Sequence, residues 1–558
     1  MRASWWALAA AAGIGTGVLA GNPATTGGKL SSEKETFTED LLIKPLPDGK
    51  VLLHFEFGMQ RPAAAQSNET LHHYHLFPRQ IGEIALRYKV EELHLAFTQG
   101  SWRPEKWGYP SVNTQGIGAE IRARISGDNS RSGDLAESDR NWKGLANALS
   151  GVFCASLNFV DESSTSKPQL TFGQQMPSSG VVRHGYLPRE NVCTENLTPW
   201  IKQLPCQAKS GIGALLNPYR LYNMHFHSMG MSLEPEHVGG GRSVLVYKQH
   251  LAVVLDPRAF GLGSQWTLSQ LMDRPLAPAC PVAERSTVRV VMPKTGLKVA
   301  PEPGSLASPA NHAIRAYDLK KQPIADVTLT FDPTAMSSSA AAAAAVPPAI
   351  VAHRYVTGHG GSSGGVETMI TNNGGKDIEV SYLDTLPWYL RLYTHTLTIK
   401  SALPDGSTKK LQPSSLILTP AVDRGRPSSI ELALVLPANS RTTLRYSFDK
   451  GFLKYTEHPP DANRGFNIGP AIIAYTAGDV DESDNYPLQC AIRSVLSSKT
   501  GACTTRVYTE LFLASLPTPD FSMPYNVITF TCTILALFFG RMFNLLTRDF
   551  AVLRSPDA

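Results

Sequence analysis

The feature that most constrains this chain is one apolar run near its C-terminal end, YNVITFTCTILALFFGRMFNLL, from Tyr525 to Leu546. At about 1.5 Å rise per residue, a helix of this length just crosses a ~30 Å hydrocarbon core. The sequence therefore predicts a membrane-spanning helix over 525–546. The run is not uniformly apolar. At about 100° per residue, Asn526, Thr529, Thr533, Gly540 and Asn544 share one face, with Arg541 at its margin. Lipid tails satisfy neither an amide nor a guanidinium, so such a face is expected to pack on other helices or to border a polar head group.

The opposite end predicts the topology. Met1 to Ala20 carries Arg2, a short apolar stretch from Trp5 broken by glycines, and a Val18-Leu19-Ala20 ending of the small-residue cleavage type. It reads as a signal peptide over 1–20. Residues 21–524 are then expected on the non-cytoplasmic side, with a cytosolic tail over 547–558. The flanks agree: Arg541, Arg548 and Arg554 lie at or beyond the inner end, whereas Thr509 to Pro524 contains Glu510 and Asp520 but no Lys or Arg. The expectation is a single-pass type I membrane protein.

Of the 558 residues, 42% are hydrophobic and 18% charged, values of a globular chain that buries real cores and forms two or more domains. The net charge is only +5, with Lys and Arg scattered, which argues against a nucleic-acid partner. Cys532 falls in the predicted span. The other six cysteines, Cys154, Cys193, Cys206, Cys280, Cys490 and Cys503, are expected in an oxidising compartment where disulfides form. None has a CxxC spacing, so neither a zinc site nor a thioredoxin-like motif is supported. Two glycosylation sequons occur. Asn68 sits in a polar, Ala-containing loop and is the better acceptor; Asn196 is followed closely by Pro199 and Trp200 and is sterically poor.

Short alternating or β-branched runs such as KVLLHFEFGM, STVRVVMP, DVTLTFDP and IELALVLP, closed by Pro, Gly, Asn or Asp, predict strands. The PDG triplets at Pro47–Gly49 and Pro404–Gly406 predict turns. RQIGEIALRYKVEEL and SDRNWKGLANALSGVFCASLNF have helical spacing, the second with a cap expected at Ser138. The fold class is thus mainly β: an α+β N-terminal domain over 21–300, flexible low-complexity insertions over 301–365, and a β-sandwich over 366–524. Both lumenal domains are read as sandwich-like, and six alanines from Ala340 to Ala345 mark the insertions.

No catalytic set is evident. HHYH at His72–His75 and HFH at His225–His227 lack a carboxylate at ligand spacing, so no metal is expected. Cys206 lies in PCQAKSG, but a caspase-type nucleophile follows Gln-Ala, and here Lys209 holds that place. Neither a Gly-x-Ser-x-Gly elbow nor a His-Glu-x-x-His helix occurs. A non-catalytic chain without a cofactor is expected.

Longer phrases are specific. LHLAFTQGSWRPEKWGYP, LSGVFCASLNFVD, YLPRENVCTENLTPW, LDTLPWYLRLYTHTLTI and VYTELFLASLPTPDFSMPYNVI closely resemble the PIG-T family of glycosylphosphatidylinositol (GPI) transamidase subunits, in the family's order. The resemblance implies an endoplasmic reticulum complex that cleaves a C-terminal signal from a proprotein and joins the new carboxyl end to the amine of a GPI lipid. It implies that the nucleophile belongs to a separate caspase-like protease subunit, and that partners include further transmembrane subunits, the GPI lipid and the proprotein. It also implies that Cys193, the cysteine of VCTENLTPW, forms a disulfide to the protease subunit. Five lumenal cysteines then remain. Pairing Cys206 with Cys280 and Cys490 with Cys503 leaves Cys154 buried in its apolar helix, one of several connectivities left open. Two other classes predict different behaviour: a stand-alone lumenal hydrolase would be active as an isolated fragment, and a glycan-binding receptor would travel without a protease.

Overall fold

The computed structural model describes residues 35–551 except 63–73, 111–114, 128–131, 173–179, 239–241, 293–295, 303, 307–312, 332–346, 359–360, 460, 477–489, 491–502, 519, 521 and 550. The expected signal peptide, Asn68 and the Ala340–Ala345 tract lie outside the described residues.

Strands dominate because the alternating runs find partners. Thr36–Pro45 and Val51–Pro62 form a hairpin, closed at the predicted PDG turn where Gly49 adopts φ 82°, a value that glycine tolerates. This hairpin sits within an eleven-stranded sheet. To one side of it lie Arg285–Met292, Ala313–Asp318 and Gly304–Leu306. To the other lie, in order, Arg242–Leu255, Phe226–Val238, Val90–Gln99, Gly118–Ile125, Val181–Leu187 and Thr165–Ser166. Thr36–Pro45 and Arg285–Met292 run parallel, with Leu41 opposite Val288.

The two faces of the sheet have different fates. Val51, Leu53, Phe55, Phe57 and Met59 point to one side and are buried against helices Arg79–Arg87, Ser132–Phe153 and Thr194–Lys202, which contribute Ile81, Leu145, Leu149 and Trp200. The opposite side meets the C-terminal half through Leu42, Tyr109 and Val291. Both predicted helical segments differ in extent. The first stops at Arg87, because Lys89 turns the chain at φ 54° and Leu93, Leu95 and Phe97 then alternate into the sheet core. The second begins at Ser132, so Ser138 lies inside the helix and is buried rather than capping it. It ends at Phe153. Cys154, expected buried, takes a left-handed φ of 51° past the helix end and is exposed.

The C-terminal half is a sandwich of two five-stranded sheets. Val366, Ile370, Leu444 and Phe448 of one sheet face Val380, Ile430, Leu432 and Ile473 of the other. The stretch 301–365, read as a linker, carries strands instead. Gly304–Leu306 and Ala313–Asp318 extend the large sheet, Thr328–Phe331 joins a small three-stranded sheet, and Ile350–Thr357 is an edge strand of the sandwich. Their short alternating pattern is satisfied by remote strands, which composition does not reveal. The described residues from Glu35 onward form one compact unit.

Candidate functional site

Cys193 stands at the N-cap of helix Thr194–Lys202, half-buried and without a disulfide partner in the chain. The local geometry follows from Asn196. Its Oδ1 accepts from the Cys193 backbone N–H at 3.0 Å, and its Nδ2 donates to the carbonyls of Phe153 and Cys154 at 3.0 and 3.1 Å. This one buried amide therefore ties the turn before the helix to the end of the preceding one. Nδ2 is also the atom that would carry a glycan at this sequon, and it is enclosed and fully engaged.

The other end of the helix is pinned to the sheet. Trp200 is 1% exposed; its indole donates to Gly230 O at 3.0 Å and its carbonyl accepts from Gln249 Nε2 at 2.8 Å. The Tyr222 hydroxyl donates to the Cys193 carbonyl. Burial, with Cys193 adding, raises the Tyr222 pKa, so it stays a neutral donor. Tyr222 stacks at 5.3 Å on His227, which burial pushes down to about 4 and keeps neutral. His227 of the HFH motif is thus a packed core residue, and His225 is exposed. Just beyond the helix, Cys206 is bonded to Cys280, with Cα atoms 6.0 Å apart. The second bond joins Cys490 to Cys503, Cα atoms 5.8 Å apart.

The two halves of the chain are fastened by buried polar contacts. Glu431, on the sandwich, accepts three backbone N–H groups, from Gln169 at 2.7 Å, Leu170 at 2.8 Å and Thr171 at 2.7 Å. Tyr508 donates to Glu120 at 3.1 Å, and His184 Nε2 lies 3.0 Å from the same carboxylate oxygen. Burial alone would raise the Glu120 pKa, but these bonds and Arg122 hold it below its ordinary value. Next to this seam opens a cleft of about 500 Å3. Its rim includes Ser156 and Glu190, whose carboxylate accepts the Ser156 N–H at 2.7 Å, three residues before Cys193.

Among the described residues, Glu92, His94 and Glu234 form one group with metal-ligand spacing. Arg122 and Arg124 already lie 3.4 Å from the Glu92 carboxylate and supply its countercharge, which disfavours a cation there.

The family described as "Gpi16 subunit, GPI transamidase component" matches residues 25–262 and 257–556. The chain belongs to this Gpi16 family. It is 36% identical over 546 residues to the "GPI-anchor transamidase component PIGT" of Mus musculus, spanning 93% of this chain and 90% of that protein. Identity to the protein of the same name from Homo sapiens is 36% over 545 residues, 93% of this chain and 91% of the relative. The "GPI transamidase component GPI16" of Saccharomyces cerevisiae is 29% identical over 589 residues, 93% of this chain and 90% of the relative.

In this Gpi16-family chain the terminal helix runs Ser522–Thr547, long and apolar enough to cross a membrane, and the protein is membrane-anchored. Its polar face divides into two kinds of residue. The Thr529 and Thr533 hydroxyls donate to the carbonyls four residues back, Tyr525 and Thr529, at 2.9 and 2.8 Å, so they need no outside partner. Asn526, Arg541 and Asn544 are exposed and make no such bond among the described residues, and a Cβ at Gly540 would meet open space. The demand for a partner, which the sequence spread over the whole face, rests on two amides and a guanidinium. Sequence reading also missed Asn196 as a staple, Glu431 as a clasp, and the cleft. Only the resemblance of LDTLPWYL and VCTENLTPW to family phrases pointed toward these segments.

Proposed function

We propose that this chain is a non-catalytic, single-pass type I subunit of the endoplasmic reticulum GPI transamidase, covalently holding a caspase-like protease subunit through Cys193. The observation that carries this reading is Cys193 itself: an unpaired thiol at a helix start held by Asn196 and Tyr222, in a family whose members are named transamidase components. Two disulfides suit an oxidising lumen. In this reading the acyl transfer runs on the partner: its thiolate attacks the proprotein carbonyl and expels the C-terminal signal as the free amine, and the lipid amine then attacks the thioester and releases the thiol. The present chain contributes proximity, keeping protease, proprotein and GPI lipid in register.

The test is affinity purification of the full-length protein in mild detergent, with non-reducing and reducing gels beside Cys193→Ser. The expected result is a reducible band at the summed mass of this chain and the protease, absent in the variant. Copurification of the protease without the band would remove only the Cys193 assignment; purification of this chain alone would overturn the subunit reading.

The terminal helix is proposed as both anchor and partner surface, its polar face docking on sister helices and bordering the GPI head group. Asn526→Leu with Asn544→Leu is expected to lower complex yield severalfold, whereas Thr529→Val with Thr533→Val leaves it near wild type, because those hydroxyls are satisfied within the helix. Equal yields from both variants, measured by quantitative blotting of the purified complex, would discard the partner-surface role.

A further inference from the structure

The cleft between the two halves has a lining that selects for a particular chemistry. Its volume, about 500 Å3, lies in the range of small-molecule sites. Aromatic rings line the cleft. Phe159, in the short turn Ser156–Phe159, lines the cleft and is 69% exposed. Tyr389 and Phe466 also line it, with ring centroids 5.0 Å apart, while Trp388 beside them is buried under the Arg424 guanidinium.

The polar groups are hydroxyls and an amide more than charges. Ser156, Ser163, Ser164 and Asn467 line the cleft, and the Thr385 hydroxyl beside them is buried with no hydrogen-bond partner among the described residues. A buried hydroxyl left unmatched is costly, and a ligand hydroxyl would match it. The formally charged lining residues are Arg189 and Glu190, of opposite sign, so the site is not built for a phosphate or another anion.

A peptide strand fits poorly. Pro188, Pro387, Pro427, Pro459 and Pro470 form much of the wall and have no N–H to donate. The nearby sheet edge, Thr165–Ser166, is two residues long, too short to pair with an added strand. The same prolines make the wall rigid before anything binds.

We propose that this cleft binds a short neutral oligosaccharide, its sugar rings stacked on Phe159 and on the Tyr389–Phe466 pair and its hydroxyls bonded to Thr385, Asn467 and the serines. Sugars match such a lining because each ring has an apolar face and a hydroxylated edge. The sugar belongs either to a glycolipid head group or to a protein-linked glycan. The assignment goes beyond the subunit reading and does not depend on Cys193.

The experiment uses full-length protein purified in detergent with whatever subunits accompany it, and saturation-transfer NMR with two soluble probes, mannotriose and a glycosyl-inositol freed of acyl chains. Binding of at least one is expected, and the tighter probe identifies the source. Phe159→Ala, at an exposed position that leaves the fold intact, is expected to weaken binding about tenfold, as is Thr385→Val. Tyr219→Ala, 88% exposed and away from the cleft, leaves it unchanged. Absence of binding by either sugar, affinity indifferent to Phe159→Ala, or binding of a proline-rich peptide in place of both sugars would overturn the proposal. A Phe159→Ala protein that loses sugar yet retains its reducible protease band separates the cleft from the Cys193 assignment.

Discussion

Asp384→Ala is expected to destabilise the sandwich by about 3–5 kcal/mol, because it leaves a guanidinium buried without its counter-ion. Arg354 and Asp384 have side chains 0% exposed and meet at 2.6 Å. The other Asp384 oxygen accepts the hydroxyls of Tyr382 and Tyr446. Arg354 also donates to Gly469 O, and its guanidinium lies 4.5 Å from the Phe512 ring centroid. Arg354 belongs to the edge strand Ile350–Thr357 of one sheet and Asp384 to Ile378–Leu386 of the other, so the pair clamps the sandwich across its core. In the purified full-length protein the melting temperature should fall by about 10 °C. The double variant Asp384→Ala with Arg354→Met should recover much of the loss, since it removes the orphaned charge as well. A single variant that melts like wild type would show that the clamp contributes no net stability.

Trp200→Ala should have a comparable effect on stability, about 3–5 kcal/mol, and a second consequence for assembly. Trp200 fills the space between helix Thr194–Lys202 and the sheet, edge-on to Phe57 at 6.0 Å, and its indole bond to Gly230 O sets the helix position. With the far end loosened, Cys193 at the near end is no longer held in one place. The reducible band with the protease subunit is expected to drop severalfold even where the protein is recovered. Trp200→Phe, which keeps most of the packing and loses the indole bond, should cost about 1 kcal/mol and spare the band. If Trp200→Ala lowers the melting temperature while band yield per folded molecule stays constant, Cys193 is positioned by Asn196 and Tyr222 alone.

Several residues changed meaning once their surroundings were known. Asn196 reads as a sequon, yet folding makes it the buried link among Phe153, Cys154 and Cys193. Cys154 reads as a core residue at helical spacing, yet the helix ends one residue earlier and leaves it exposed. Thr529 and Thr533 read as groups seeking a partner, yet each has one four residues away. For Asn196, Thr529 and Thr533 the hydrogen-bond partner decided the role; for Cys154 the end of the helix did.

By itself the sequence determined what rests on local period and length: the terminal apolar helix, the alternating strands that make the chain mostly β, and family membership through its long phrases. Only the tertiary structure decided which polar groups are buried and matched. Glu431 meets Gln169 across 262 positions of sequence, and Tyr508 meets Glu120 across 388. The parallel pairing of Thr36–Pro45 with Arg285–Met292, the clasp between the halves and the cleft beside it depend on such distant partners. The physical reason is that a buried hydrogen bond is specified by two residues at once, and the pattern around either one contains no information about the other.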